Sequence, residues 1–184
     1  MDNKIVKIAG FTGSLRRDSY NMAALRAAGT LLPENALLDI IDLSGLPFFS
    51  EDLEAEGVPP SVADYKSRLA EADAVLISTP EYNYSIPPVL KNALDWASRG
   101  EDLPLFGKPL AIMSASVGML GGARVQYHLR QVCVALNLLA LNKPEVFITN
   151  ANTKFDEAGN LIDERTKNSI KRLLDALIKN VKAK

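Results

Sequence analysis

The sequence predicts an α/β fold in which five parallel strands form one doubly wound sheet with helices on both faces. Three observations carry this reading. Five short runs, at residues 5–10, 37–43, 74–79, 109–114 and 145–149, are too continuously apolar for strands wet on one face. Five stretches with helical spacing alternate with them. Strands that alternate with helices are joined by crossovers, which make neighbours parallel and cover the sheet on both sides. With 184 residues, 47% hydrophobic and 23% charged, the chain has the size and composition of a single ordinary globular domain with a sizeable core.

The elements follow in order. Ile5, Val6, Ile8 and Ala9 form the first run, which ends at Gly10. A helix over 20–32 puts Ala24, Leu25, Ala28, Leu31 and Leu32 on one face, and Pro33 and Asn35 break it. LLDIIDL at 37–43 is the second strand. Residues 44–60 carry proline, glycine and acidic residues without a period, so they read as a surface connection whose length marks a functional loop. Ser61 and Asp64 resemble a capping box that opens a helix to about Ala70. AVLIST at 74–79 is the third strand, and Pro80 stops it. Pro87 and Pro88 suit a first helical turn, after which Val89, Leu90, Ala93, Leu94 and Ala97 form the inner face of a helix ending near Gly100. PLAIMS at 109–114 is the fourth strand. The loop SASVGMLGG then leads to a helix over 123–138 with Val125, Leu129, Val132, Cys133 and Leu136 inward. EVFIT at 145–149 is the fifth strand, residues 151–161 form a polar loop, and an amphipathic helix over 164–181 closes the chain.

Bulk charge and cysteine content exclude several function classes. Twenty-one basic against 22 acidic residues give a net charge of −1, with no basic footprint for nucleic acid or an anionic membrane. The single Cys133 rules out an intramolecular disulfide, and Cys133 with His128 is too small a ligand set for a zinc site. MDNK runs directly into a strand pattern, and no apolar run approaches ~18 residues, so neither secretion nor a membrane span is expected and a reducing cytoplasm fits.

In parallel sheets of this kind ligands lie at the carboxyl ends of the strands, so the loops after strands one, three and four should meet. In the first, Gly10 and Gly13 permit turns, Ser14, Ser19 and Asn21 offer hydrogen-bond donors, and Arg16 or Arg17 matches phosphate oxygens, at the positive end of a helix dipole. It lacks the Gly-Lys-Ser/Thr of a Walker loop, and Thr12 stands where the dinucleotide fingerprint requires glycine. The second, PEYNYSIPPVLKNALDW, is a stiff surface with Tyr82 and Tyr84, on which a flat heteroaromatic ring can pack and bond with backbone N–H groups and Asn83; the tyrosines suit a subunit contact as well. Trp96 reads as core or interface. The third, with Ser114, Ser116, Gly118, Gly121 and Gly122, lets backbone approach a polar ring edge. Behind it Arg124, Tyr127 and His128 face a ligand or another subunit; His128 reads as a satisfied structural histidine and Cys133 as an inert core thiol.

GSLRRDSYN, PEYNYSIPPVLKNALDW and SVGMLGGARVQYHLRQ stand in the order and spacing of the NADPH-dependent FMN reductase family, and the chain resembles its chromate and quinone reductase branch over nearly its whole length. The resemblance implies a flavodoxin-like fold with sheet order 2-1-3-4-5, non-covalent FMN, and homodimers often paired into homotetramers. By motif, Ser14, Arg16, Ser19 and Asn21 resemble the phosphate contacts and Pro80, Glu81, Tyr82 and Asn83 the flavin-ring loop, with Ser116 and Gly118 near the other ring edge. Tyr84, Arg124, Tyr127 and Glu145 resemble positions at a subunit interface beside the site. The function expected is transfer of electrons from NADPH or NADH, through FMN, to quinones, chromate, azo compounds or flavins by a ping-pong mechanism. Two alternatives stand beside it: a non-enzymatic flavodoxin-like electron carrier, which the balanced charge disfavours, and a phosphate-ligand binding protein without redox activity, which leaves the tyrosine-rich loop unexplained.

Overall fold

The computed structural model describes residues 5–183. Its elements run β1 (Val6–Thr12), α1 (Tyr20–Thr30), β2 (Ala36–Ile40), α2 (Glu51–Ala55), α3 (Pro60–Glu71), β3 (Ala74–Thr79), α4 (Pro88–Ala97), β4 (Pro109–Ala115), α5 (Ala123–Ala135), β5 (Leu139–Ala140), β6 (Val146–Ile148) and α6 (Glu164–Lys182). All pairings are parallel and the order is β2-β1-β3-β4-β5, with β6 also on β4. This is the flavodoxin-like order expected. Alternation along each central strand sends Ile8, Leu76, Ala111 and Met113 into a core shared with α1 and α6. Ala9, Phe11, Val75, Ile77, Leu110 and Ile112 join a second core under α3, α4 and α5. Burial on both faces is why these strands carry continuous apolar runs and not an alternating pattern. Among the described residues no helix is long and apolar enough to cross a membrane.

Three expectations are corrected. The fifth sheet position is shared by two short strands, β5 on Pro109 and Leu110 and β6 on Met113–Ala115. Asn137, with φ of 48°, ends the preceding turn, so α5 stops at Ala135, short of the expected end at 138, and Leu139 and Ala140 are free to pair with β4. The chain then leaves the sheet through Pro144, which has no N–H to give a ladder, and returns at Val146. The expected capping box at Ser61 and Asp64 does not form. α3 starts one residue earlier, at Pro60, without a side-chain cap. Proline at the first helical position is preset in φ and removes one unpaired donor, so no cap is needed there.

The connection over 44–60, expected to be irregular, contains α2, capped by Ser50, whose Oγ accepts the Leu53 N–H at 3.0 Å. It is strapped to α4. The Pro47 carbonyl accepts from Asn92 Nδ2 at 2.9 Å and from Trp96 Nε1 at 2.8 Å, and Asn92 Oδ1 accepts the Phe49 N–H at 2.8 Å. Arg99 forks onto Glu54, whose carboxyl it holds below the usual carboxylate range, and lies 5.1 Å from the Phe49 ring centre. Trp96 is therefore a buried structural residue with a satisfied indole. Phe48, between the two pinned positions, stays 75% exposed.

Candidate functional site

Side chains at the end of β1 and in the loop that follows it bond neighbouring backbone. Thr12 Oγ1 accepts the Ser14 N–H at 3.3 Å, and Ser14 Oγ accepts the Arg16 N–H at 3.4 Å. Ser19 caps α1, accepting the Met22 N–H at 3.3 Å, and its own hydroxyl hydrogen stays available as a donor. Arg16 lies 5.6 Å from the centre of the Tyr20 ring. Ser14, Arg16 and Ser19 thus share one loop that runs into a helix N-terminus, an arrangement that favours an anion. Neither Gly10 nor Gly13 has a positive φ, so neither is required for left-handed backbone. A Cβ on Gly13 would stand 2.9 Å from Leu90 Cβ and 3.0 Å from Pro87 Cγ, and one on Gly10 would stand 2.7 Å from Leu38 Cδ1. At Gly10 the nearest atom is the rotatable end of Leu38, whereas close approach is the reason at Gly13. At Gly13 it brings the first loop onto the opening of α4, which follows the second loop.

Asn21, expected beside the phosphate, is only 3% exposed. Its Oδ1 accepts the Ala115 N–H at 2.9 Å and the Ser78 hydroxyl at 3.1 Å, while Nδ2 donates to the Ala115 carbonyl at 3.0 Å. One side chain at the start of α1 therefore reaches the carboxyl ends of β3 and β4.

The second loop turns tightly. Tyr82 and Ser85 exchange backbone hydrogen bonds at 3.1 and 2.9 Å, and the two residues between, Asn83 (φ 49°) and Tyr84 (φ 67°), are both left-handed. Asparagine tolerates this; for tyrosine it is strained, and surrounding contacts must hold it. They come from α5. Glu81 accepts from Arg124 Nε at 2.6 Å and from the Val125 N–H at 3.2 Å, the Arg124 guanidinium sits 3.7 Å from the Tyr84 ring centre, and the Ser85 hydroxyl meets His128 Nδ1 at 2.9 Å. α5 begins at a left-handed Gly122 with no cap of its own, so the Glu81 side chain caps it from another loop. His128 is exposed and hydrogen-bonded, on the surface and not in the core.

The third loop is braced from beneath by a buried polar chain. Ser114 Oγ donates to the Gly121 carbonyl at 2.6 Å and accepts from Gln126 Nε2 at 2.8 Å, which also donates to the Val146 carbonyl at 2.9 Å. Gly122, at φ 83°, passes so close that a Cβ would lie 2.7 Å from Ser114 Cβ. Ser116 Oγ accepts the Gly118 N–H at 3.1 Å. The tip is apolar, with Val117, Leu120 and, at 85%, Met119 exposed. Cys133 is buried, which raises its thiol pKa to about 11 and keeps it protonated.

The three loops thus leave the same edge of three adjacent strands, and contacts join them in pairs. The expected interface residues fall into two pairs: Arg124 with Tyr84, and Tyr127, whose hydroxyl reaches Glu145 at 3.4 Å. Lys143, 2.6 Å from Glu145, holds that carboxyl below the usual range. Glu81 as a helix cap, Ser78 and Gln126 as braces and Asn92 as the anchor of the strap were not singled out by sequence. Only Glu81 left a signal, the absence of any capping residue at the GG opening of α5.

Comparison with known proteins places this architecture. A model of the NADPH-dependent FMN reductase family matches residues 6–153. The chain belongs to the NADPH-dependent FMN reductase family. Among curated members it is 49% identical to an NAD(P)H-dependent FMN reductase of Pseudomonas aeruginosa, over 94% of this chain and 93% of that one. It is 43% identical to a 2-hydroxy-1,4-benzoquinone reductase of a Burkholderia species, over 92% and 93%. The solved structure of FerB, a flavoenzyme NAD(P)H:(acceptor) oxidoreductase of Paracoccus denitrificans, superposes with a TM-score of 0.89 at 31% identity, covering 97% of this chain and 98% of that one. As a member of this family the chain is an oxidoreductase, and the matched segment contains all three loops.

Proposed function

We propose that this reductase binds FMN non-covalently at the carboxyl edge of the sheet and uses it to pass electrons from NADPH or NADH to quinones and similar small acceptors, chromate, azo compounds and free flavins among them. The observation that carries the proposal is the meeting of a serine- and arginine-bearing anion loop with a stiff tyrosine-rich loop, with Gly13 packed against Pro87 and Leu90 between them. The donor set fits a mononucleotide. Ser14, Arg16 and Ser19 offer two hydroxyls and a guanidinium for a phosphate, and Asn21 stands behind them. In the loop after Pro80 the Glu81 and Asn83 N–H groups are offered to the polar edge of a flat ring beside Tyr82, whose own N–H goes to Ser85, while Ser116 and Gly118, whose N–H groups go to the Ile148 carbonyl and Ser116 Oγ, border the other ring edge. Exposed Tyr82, Val117 and Met119 offer it apolar surface.

FMN held by these loops would supply the redox chemistry, two-electron exchange with a nicotinamide and then with an acceptor, and donor and acceptor would use one place in turn. The chain's part is to position and to steady charge. Helix termini and loop N–H groups favour added negative charge at the ring, and no protein nucleophile is required. The extra phosphate of NADPH calls for a cation, for which the loops carry Arg16, Arg17 and Arg124. Tyr84, Arg124, Tyr127 and Glu145 lie beside the site on the surface of one chain, and we assign them to a homodimer or homotetramer contact. A reducing, cytoplasmic location accords with the single cysteine, Cys133, which leaves no intramolecular disulfide to form.

Steady-state kinetics of FMN-loaded protein against a panel of acceptors test the function. Parallel double-reciprocal lines with a quinone, with NADH and NADPH compared, are expected. Intersecting lines would refute the alternating mechanism, and turnover independent of added FMN in flavin-free protein would refute the cofactor.

A further inference from the structure

The backbone pairing of β3 with β4 ends at Thr79 and Ser114. Pro80 follows and brings no N–H to the next rung. On β4 the next residue is Ala115, and its N–H and C=O are both taken by the Asn21 amide, at 2.9 and 3.0 Å. One edge of a carboxamide offers a C=O and an N–H, which here fill both main-chain groups that Ala115 turns to the β3 side. Asn21 thus makes the rung at which the sheet divides. The Ser78 hydroxyl donates to the same Oδ1 at 3.1 Å, which ties β3 into the junction. All of these groups are buried, Ser78 completely, so no solvent replaces a lost partner.

We propose that Asn21 is a positioning residue: its amide fixes the phosphate loop against the ends of β3 and β4, from which the two ring loops spring, and it does not ligate the phosphate. The inference rests on the FMN reading above. Its consequence differs from that of a phosphate ligand. A ligand acts only on flavins that carry a phosphate, whereas a joint between loops acts on the whole site.

Riboflavin, which lacks the phosphate, separates the two. For Asn21→Ala the dissociation constants of FMN and riboflavin should rise by the same factor, on the order of tenfold or more, with their ratio held within about twofold of wild type. Arg16→Ala, as the phosphate-side control, should weaken FMN and leave riboflavin unchanged. Ser78→Ala, which keeps the amide and removes one of its donors, should move both flavins together by a smaller factor; it serves if Asn21→Ala does not fold. Flavin-free protein gives an independent readout. There Asn21→Ala should speed hydrogen exchange at the Ala115 amide at least tenfold and lower Tm. A selective loss of FMN affinity, with riboflavin binding and Ala115 exchange unchanged, would overturn the inference. If the wild-type chain binds neither flavin, the FMN reading fails, and the flavin-free exchange at Ala115 still decides whether Asn21 joins the strands.

Discussion

At the scale of single residues, the site depends on a glycine and a carboxylate that sit between loops. Gly13 lies against Leu90 Cβ and the Pro87 ring, groups fixed by backbone, so a methyl there cannot be absorbed by side-chain rotation. Gly13→Ala should cost about 1–3 kcal/mol of stability through overpacking, and thermal melts with and without FMN should show reduced stabilisation by the cofactor as the loops part. Glu81 holds Arg124 and caps α5. The Arg124 side chain is 43% exposed, which limits the worth of the ion pair itself, so the cap is the larger share. Loss of both in Glu81→Ala should cost roughly 1–2 kcal/mol, of which Glu81→Gln, still an acceptor for the Val125 N–H, recovers the larger part; chemical denaturation measures both. Sequence could single out Glu81 and Asn21 as polar residues in unusual loops. It could not show which group each would meet, because Arg124 and Ala115 are brought to them only by the sheet.

At the scale of elements, α6 shows how a helix start makes stability depend on pH. Asp163 accepts the Thr166 N–H at 2.8 Å and also the Thr166 hydroxyl, and these bonds hold its carboxyl below the usual range. Since the folded pKa lies below the unfolded one, this stabilisation is complete above the unfolded value and is lost as the pH falls through the folded value. Asp163→Asn keeps the cap without the titration, so melts should match wild type near neutrality and fall less steeply below about pH 4. Asp163→Ala should lose about 1 kcal/mol at neutral pH. The strap over 44–60 hangs on Asn92. Asn92→Ala removes both bonds of its amide and should raise hydrogen exchange at Phe49 well above that of α4, while leaving the sheet protected. The long central elements were legible because β1, β3 and β4 are buried on both faces and α6 on one, which leaves strong periodic signals. β5 and α2 were not. LNLLALN has the composition of a helix, and its pairing with β4 is set by the left-handed Asn137; α2 is a single capped turn held by the fork of Arg99, just beyond α4, onto Glu54.

At the scale of the whole molecule, parallel order fixes where chemistry takes place. With β1, β3 and β4 adjacent, three loops far apart in sequence open at one edge, and this convergence followed from the alternation of strands and helices alone. The bracing beneath the loops, from Asn21 to Ser78 and Ala115 and from Ser114 to Gln126, depends on three-dimensional register and left no pattern in the chain. Tyr84 and Tyr127, 69% and 57% exposed, offer aromatic surface suited to a second subunit. Sedimentation should show a dimer or tetramer at micromolar concentration; a monomer would remove the interface role of Tyr84, Arg124, Tyr127 and Glu145. The central claim is that these loops hold FMN for two-electron exchange with a nicotinamide donor. It is tested most directly by loading the protein with FMN, removing free flavin and oxygen, and following the visible flavin absorbance as NADPH or NADH is added. The account predicts that the yellow band bleaches with one equivalent of donor per bound flavin and returns when a quinone is admitted; retained FMN whose absorbance does not change with either donor would contradict it.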